Sequence, residues 1–342
     1  MPTLPLYVPN DLPDAWHQVI APGGYETWHF DAQADSADLR LVVELGQGYR
    51  YQREYARKYL AYRRRPTRRP PPVPVDYPNL RVWVLQRGRL LARLTSQTSV
   101  ATFGVAPGQP VAAVGPVSVS RQSDGALTLH LDPHDPWEWS GRLNFRPAPT
   151  VRALQLPMSD PGLTPDEHHW TAGPSCEVTG ELVGPGARPI EFLGHGRHDH
   201  CFGTGPMMFG LARSVFGRVL LPTRSLSFLV SQPRAGPATQ ARVIEANTRV
   251  NRQIPVEGLE LSWTAGFGNG RRVIRELRAL LEGGEKLVLG GAEVLATEGG
   301  INWQMCTGQV GPDVATALCE VVAPDASLSR GWGHRRRFSK RR

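Results

Sequence analysis

The chain has 342 residues, a hydrophobic content of 40% and a formal net charge of +8. This length accommodates two domains with cores of their own, and no apolar run is long enough for a membrane-crossing helix. The first ten residues lack the pattern of a secretion signal and the four cysteines show no Cys-x-x-Cys spacing, so free thiols in a reducing cytoplasm are expected.

Residues 1–21 are proline-rich and read as an irregular leader. Short strand-like runs follow. Leu39 to Leu45 ends at Gly46-Gln47-Gly48. Gln52 to Arg65 is compatible with a helical turn or two before Pro66, and Pro70-Pro71-Pro72 stops regular structure. Leu80 to Leu85 alternates and meets Arg87-Gly88, a hairpin signal; Val117 to Arg121 and Leu127 to Leu131 flank a second at Ser123-Asp124-Gly125. Leu143 to Phe145, Cys176 to Leu182 and Leu226 to Ser231 continue the series. Gly266-Phe267-Gly268-Asn269-Gly270 lacks the dinucleotide-binding spacing and reads as a loop. In Arg272 to Leu281, the residues Val273, Ile274, Leu277, Leu280 and Leu281 fall at helical spacing, so helix and strand are both open there. Lys286 to Leu289 and Ala292 to Leu295, around Gly290-Gly291, read as a hairpin. Short strands with glycine turns point to a mainly β barrel or sandwich.

The charge is concentrated in two places. Arg50 to Arg69 holds nine basic residues and one acid, and Arg330 to Arg342 holds seven basic residues and no acid, which leaves the rest of the chain net negative. Tyr51, Tyr55, Tyr59 and Tyr62 interleave the first segment. Such segments suit nucleic acid, an anionic membrane surface or plain solvation.

The densest chemistry is Gly194-His195-Gly196-Arg197-His198-Asp199-His200-Cys201-Phe202-Gly203. In an extended chain His198, His200 and Phe202 share one face, and Asp199 and Cys201 the other. Asp199 is the first candidate acid, because apolar enclosure raises a carboxyl pKa until it can protonate a substrate near neutral pH; alternatively it accepts hydrogen bonds that hold the segment. His198 and His200 would orient that acid, bind water or line a cavity. A His-x-His pair joined by His168, His169, Cys201 or Glu167 has the donors of a zinc site. Upstream, Glu26 and Trp28 share one face of a strand, and Tyr25 and His29 the other. Glu26, a carboxylate among aromatics, is the second candidate acid. Trp28, Tyr25, Phe202 and Trp170 are candidates for a ligand cavity wall or for core.

These segments resemble a known family. The His-Asp-His stretch resembles the Gly-x-Gly-Tyr-His-Asp-His-Asn-Trp-Gly signature of the carotenoid 1,2-hydratases, or hydroxyneurosporene synthases. Those belong to a lipocalin-like group with plant-defence hydratases and decalin-forming pericyclases. Gly23 to Ala32 resembles the family's Tyr-Glu-Trp-Trp-Tyr-Phe-Asp-Ala, and His168-His169-Trp170 followed by Pro174 to Val178 gives a weaker third match. Arg197, Cys201 and Phe202 stand where the family has Tyr, Asn and Trp. On the downstream strand, Arg224 to Val230, Phe228 stands in for the family's Tyr and no carboxylate stands in for its Asp.

The resemblance implies two lipocalin-like β-barrel or sandwich domains in tandem. These are residues 22–203, ending in the His-Asp-His motif, and residues 204–329, between the leader 1–21 and a basic tail 330–342. It implies a hydrophobic polyene or terpenoid ligand, with Phe228 among its walls, and neither metal nor other cofactor. The expected reaction is protonation of a carbon–carbon double bond and addition of water, with aromatic faces stabilising the cation. A ligand carrier, or an isomerase, cyclase or pericyclase, is the alternative. The Arg-rich segments are then expected to touch an anionic membrane rather than a specific nucleic acid, in a cytoplasmic, peripherally membrane-associated protein.

Overall fold

The computed structural model describes residues 14–35, 38–48, 53–96, 101–104, 110–134, 137–158, 166–206, 211–233, 239–265, 272–298 and 301–322. The basic tail, the Gly266–Gly270 loop, Tyr51 and the first part of the leader lie outside these residues. Strands β1 (Tyr25–Ala34), β2 (Leu39–Gln47), β3 (Pro78–Gln86) and β4 (Arg89–Ser96) form one side of a 12-stranded sheet. Its other side comprises β5 (Ala101–Phe103), β6 (Pro110–Val114), β7 (Val117–Arg121), β8 (Leu127–Leu131), β9 (Ser140–Pro147), β10 (Leu154–Pro157), β11 (His168–Val183) and β12 (Ile190–Gly203). β12 returns to pair with β1, and β6 comes against β2 and β3, so the sheet curls into a barrel.

A second sheet of nine strands holds β13 (Leu211–Leu220), β14 (Arg224–Pro233), β15 (Gln240–Asn247), β16 (Asn251–Ile254), β17 (Val256–Ala265), β18 (Arg272–Leu281), β19 (Lys286–Glu298), β20 (Ile301–Val310) and β21 (Asp313–Val322). β21 returns to pair with β13, repeating the closure of the first sheet. The protein is thus mainly β, two barrel-like sheets in tandem. Trp28, Phe30, Val43, Val82, Leu129 and Phe145 fill the first barrel; Val215, Phe228, Leu277, Leu289 and Val321 fill the second. All four cysteines are buried, and none is in a disulfide.

Three local expectations change. Arg272 to Leu281 is a strand: Arg275 is an extra residue between the pairs Ser262–Glu276 and Trp263–Ile274. That bulge puts Ile274 and Leu277 on the same inner face three residues apart, which imitates helical spacing. Lys286 to Leu295 is no hairpin. Gly290 and Gly291 form a bulge inside the continuous β19, with Gly290 opposite Thr307 and Glu293 opposite Met305. The basic segment makes a full helix, α1 (Arg53–Arg64), which turns Tyr55 and Tyr59 inward and leaves Arg57, Arg63 and Arg64 outside.

The two barrels share an extensive buried seam. Val42, Trp83 and Leu85 of the first pack on Ile301, Trp303, Met305 and Leu318 of the second, with the Trp83 and Trp303 rings 5.2 Å apart. Trp170 meets Phe216 edge-on at 5.2 Å. Two arginines bond across the seam. Arg40 binds Asp31 through two nitrogens and donates to the Thr316 carbonyl at 2.9 Å. Arg218 of β13 reaches back to Asp199 of β12, Nε to Oδ2 at 2.7 Å, and donates to His29 at 3.1 Å. Arg197 donates to the other oxygen of Asp199 at 3.3 Å.

Asp199 is therefore a fully buried carboxylate between two guanidiniums. Burial alone would raise its pKa, but Arg218 and Arg197 more than reverse this and hold it ionised. The apolar enclosure expected from sequence is not what surrounds it, and a group so held does not donate a proton. Asp199→Asn should cost about 3–5 kcal/mol of stability, because it leaves two buried guanidiniums uncompensated. Denaturant unfolding measures this directly; a loss under about 1 kcal/mol would mean the triad does not hold the seam.

Candidate functional site

Alternation along the paired strands β1 and β12 divides the motif residues between two places. In register, Glu26 lies opposite Phe202, Trp28 opposite His200 and Phe30 opposite His198. These side chains point into the first barrel. Thr27, His29, Asp31, Arg197, Asp199 and Cys201 point out to the seam side.

The inward set forms a cluster at one end of the barrel. Glu26 Oε1 accepts three hydrogen bonds: from the His17 backbone N–H at 2.7 Å, from His17 Nδ1 at 3.2 Å and from His200 Nε2 at 3.1 Å. Gln47 donates to Oε2 at 3.1 Å. Burial would raise the Glu26 pKa, but the bonds from His17 and His200 outweigh it and keep the carboxyl below its usual range. Trp28 stacks on His200 at 4.6 Å, and His17 lies against Phe202 at 4.1 Å.

His17 comes from the leader, which is part of the site. Residues 14–21 are irregular, yet Asp14, Ala15, His17, Val19 and Ala21 are all buried. Gly24 makes this docking possible, since a Cβ there would lie 2.6 Å from Val19 Cγ1. Asp14 pairs with His198 at 3.0 Å and with Arg121 at 2.8 Å, and its carbonyl accepts from Trp28 Nε1 at 2.9 Å. Burial would lower the His198 pKa, but Asp14, helped by Cys176, pushes it up to about 10; the same pairing keeps Asp14 ionised.

Of the residues singled out from sequence, the structure brings Glu26, Trp28, His200 and Phe202 together, with His198 farther along the same face. His169 joins them, its ring stacked on Phe202 at 4.6 Å, but other candidates lie elsewhere. Asp199 and Trp170 lie at the seam, as does Tyr25, whose hydroxyl meets His168 Nδ1 at 3.2 Å. Phe228 is core of the second barrel. Sequence reasoning missed Asp14, His17, Gln47 and Arg218. Arg218, one cation inside the apolar run Val215 to Leu220, is a readable sign that a buried acid lies opposite. The leader histidine carried no such sign.

No family model matches the chain. A curated relative, hydroxyneurosporene dehydrogenase of Chlorobaculum tepidum, is 24% identical over 274 residues, 74% of this chain and 69% of the relative. A solved Nitrosomonas europaea protein assigned to AttH superposes with a TM-score of 0.59 at 10% identity, covering 94% of this chain and 99% of its own. Kievitone hydratase of Nectria haematococca superposes at 0.54 and 12% identity, covering 94% of each chain. The fold is that of the lipocalin-like hydratases. The resemblance drawn from the motifs is borne out at that level.

Glu26, His17 and His200 also place three ligand atoms within 4.8 Å of one another, a donor set that a transition metal accepts. The hydrogen bonds already satisfy Glu26 without an ion. Treatment with EDTA should therefore leave Tm unchanged; a fall restored by zinc would reassign the trio as a metal centre.

The leader clasp has a definite pH signature. His198, raised from 6.5 to about 10, stabilises fully below pH 6.5 and ceases to do so as pH rises through about 10. Asp14, lowered from 3.8, stabilises above that value and fails as pH falls below it. Between pH 6.5 and 10 the wild type should lose Tm more steeply than Asp14→Asn, in which the pair is absent. Parallel curves in that range would show the pair adds nothing.

Proposed function

We propose that this chain is an enzyme of the hydratase or pericyclase type, acting on a hydrophobic polyene- or terpenoid-like substrate at the Glu26–His200 end of the first barrel. The observation that carries the reading is a buried carboxylate–imidazole pair set among aromatic faces. A buried carboxylate that accepts a hydrogen bond from an imidazole fixes the orientation of that ring, which is an arrangement for moving one proton. In this reading His200 gives a proton to a carbon–carbon double bond. Trp28 and Phe202 present their faces to the cation, water adds, and the proton it releases returns to His200. Asp199 has no part in the chemistry; it fixes the strand that carries His200.

The likeness to kievitone hydratase supports the enzyme class, and the Chlorobaculum tepidum relative supports a polyene. Delivery of such a substrate from an anionic membrane suits the exposed cations Arg57, Lys58 and Arg64 of α1 and Arg65 just after it. Among the described residues no helix is long and apolar enough to cross a membrane.

The test is incubation of purified protein with a panel of polyenes and terpenoids, followed by mass spectrometry. The expected product is one water heavier, or an isomer. His200→Ala and Glu26→Gln should each slow it by about 100-fold or more. A ligand that binds and is recovered unchanged from wild type across the panel would make the protein a carrier.

A further inference from the structure

Five rings stand in series at the Glu26 end of the first barrel: Trp28, His200, His17, Phe202 and His169. Successive centroids are 4.6, 5.1, 4.1 and 4.6 Å apart, and successive planes differ by 10°, 29°, 19° and 15°. Four of these rings are fixed on paired strands. The middle one, His17, is carried by the irregular leader. It is also the group that satisfies Glu26 most fully, supplying two of the three donors on Oε1.

A molecule that is to reach Glu26 Oε1 must therefore take the place of His17. Two more polar atoms lie at the same end. Gln47 Oε1 and Thr171 Oγ1 are buried with no hydrogen-bond partner among the described residues; Gln47 holds Glu26 through its other atom, and Thr171 lies in register with His200. Buried polar atoms left unbonded carry a cost that a ligand with matching groups removes.

We propose that His17 is a displaceable stand-in for the ligand, and that the ligand is a flat conjugated ring bearing a hydroxyl, a phenol or enol. The ring would stack on Phe202 and His200 where the imidazole now lies. The hydroxyl would donate to Glu26 in place of the His17 ring N–H. A bare hydrocarbon would expel His17 and return no hydrogen bond to a buried carboxylate, so the site discriminates against it. This inference rests on the reading that Glu26 and His200 form the ligand end. It narrows the substrate from hydrophobic to hydroxylated and planar, and it makes the leader a competitor for the site.

The probes are 2-naphthol and naphthalene, titrated calorimetrically into the full-length protein, His17→Gly and His17→Gly/Glu26→Gln. Naphthol should bind His17→Gly at least tenfold more tightly than wild type, and imidazole should compete for the vacated place. Naphthalene should bind more weakly than naphthol to His17→Gly, and Glu26→Gln should erase that difference. Should His17→Gly fail to fold, Asp14→Asn loosens the leader without touching Glu26 and should likewise tighten naphthol. Equal naphthol affinity in wild type and the folded variants, or equal affinity for the two probes, overturns the proposal. So does stoichiometric zinc that is lost with His17. Turnover of an unhydroxylated polyene without any naphthol preference would overturn the ligand class and leave the enzyme reading standing.

Discussion

Two antiparallel strands, β1 and β12, run side by side over ten residue pairs, and every chemical feature of the molecule hangs on which way their side chains point. One set of alternate residues lines a barrel with rings, imidazoles and a carboxylate. The other set meets the second barrel with Arg197, Asp199, Asp31 and His29. A slip of one residue in this register would exchange the two sets and destroy both the cluster and the seam. The seam pairs therefore do more than join domains. Arg218 grips Asp199 between the two inward histidines, so the second barrel sets the position of the strand that carries them.

The leader closes the other side of the cluster. Its attachments are polar and specific: Asp14 to His198 and Arg121, and His17 to Glu26. Few of its contacts are those of a regular element, since residues 16–20 join no strand or helix. Such a segment is held by a handful of charge-assisted bonds rather than by a ladder, and its release is correspondingly local. The binding end of the barrel is thus built from a rigid wall and one removable piece.

Much of this was legible in the sequence. The division of His198, His200 and Phe202 from Asp199 and Cys201 follows from strand periodicity alone, as does that of Glu26 and Trp28 from Tyr25 and His29. The hairpin at Arg87-Gly88 is present, with positive φ at both residues. What periodicity could not supply was the identity of the neighbours. Asp199 was legible as a carboxylate in an apolar setting, but its partner Arg218 comes from the other barrel. His17 lies in a segment with no periodicity to read. Bulges defeated the pattern where it mattered locally: one extra residue at Arg275 gave a strand the spacing of a helix, and Gly290-Gly291 gave a bulge the look of a turn.

Domains of a single chain commonly meet through modest, rather polar contacts and move independently. Here the contact contains stacked tryptophans, a buried carboxylate shared by two guanidiniums, and an arginine bonded to a carbonyl of the opposite barrel. Neither barrel alone could hydrate the charged groups that its partner now satisfies and still keep its aromatic face out of water. The two cores are separate in space but share buried groups, so heat or denaturant is expected to meet them as one unit although each has a core of its own. A lesion in the seam is then felt at the far end of either barrel as a loss of the common fold.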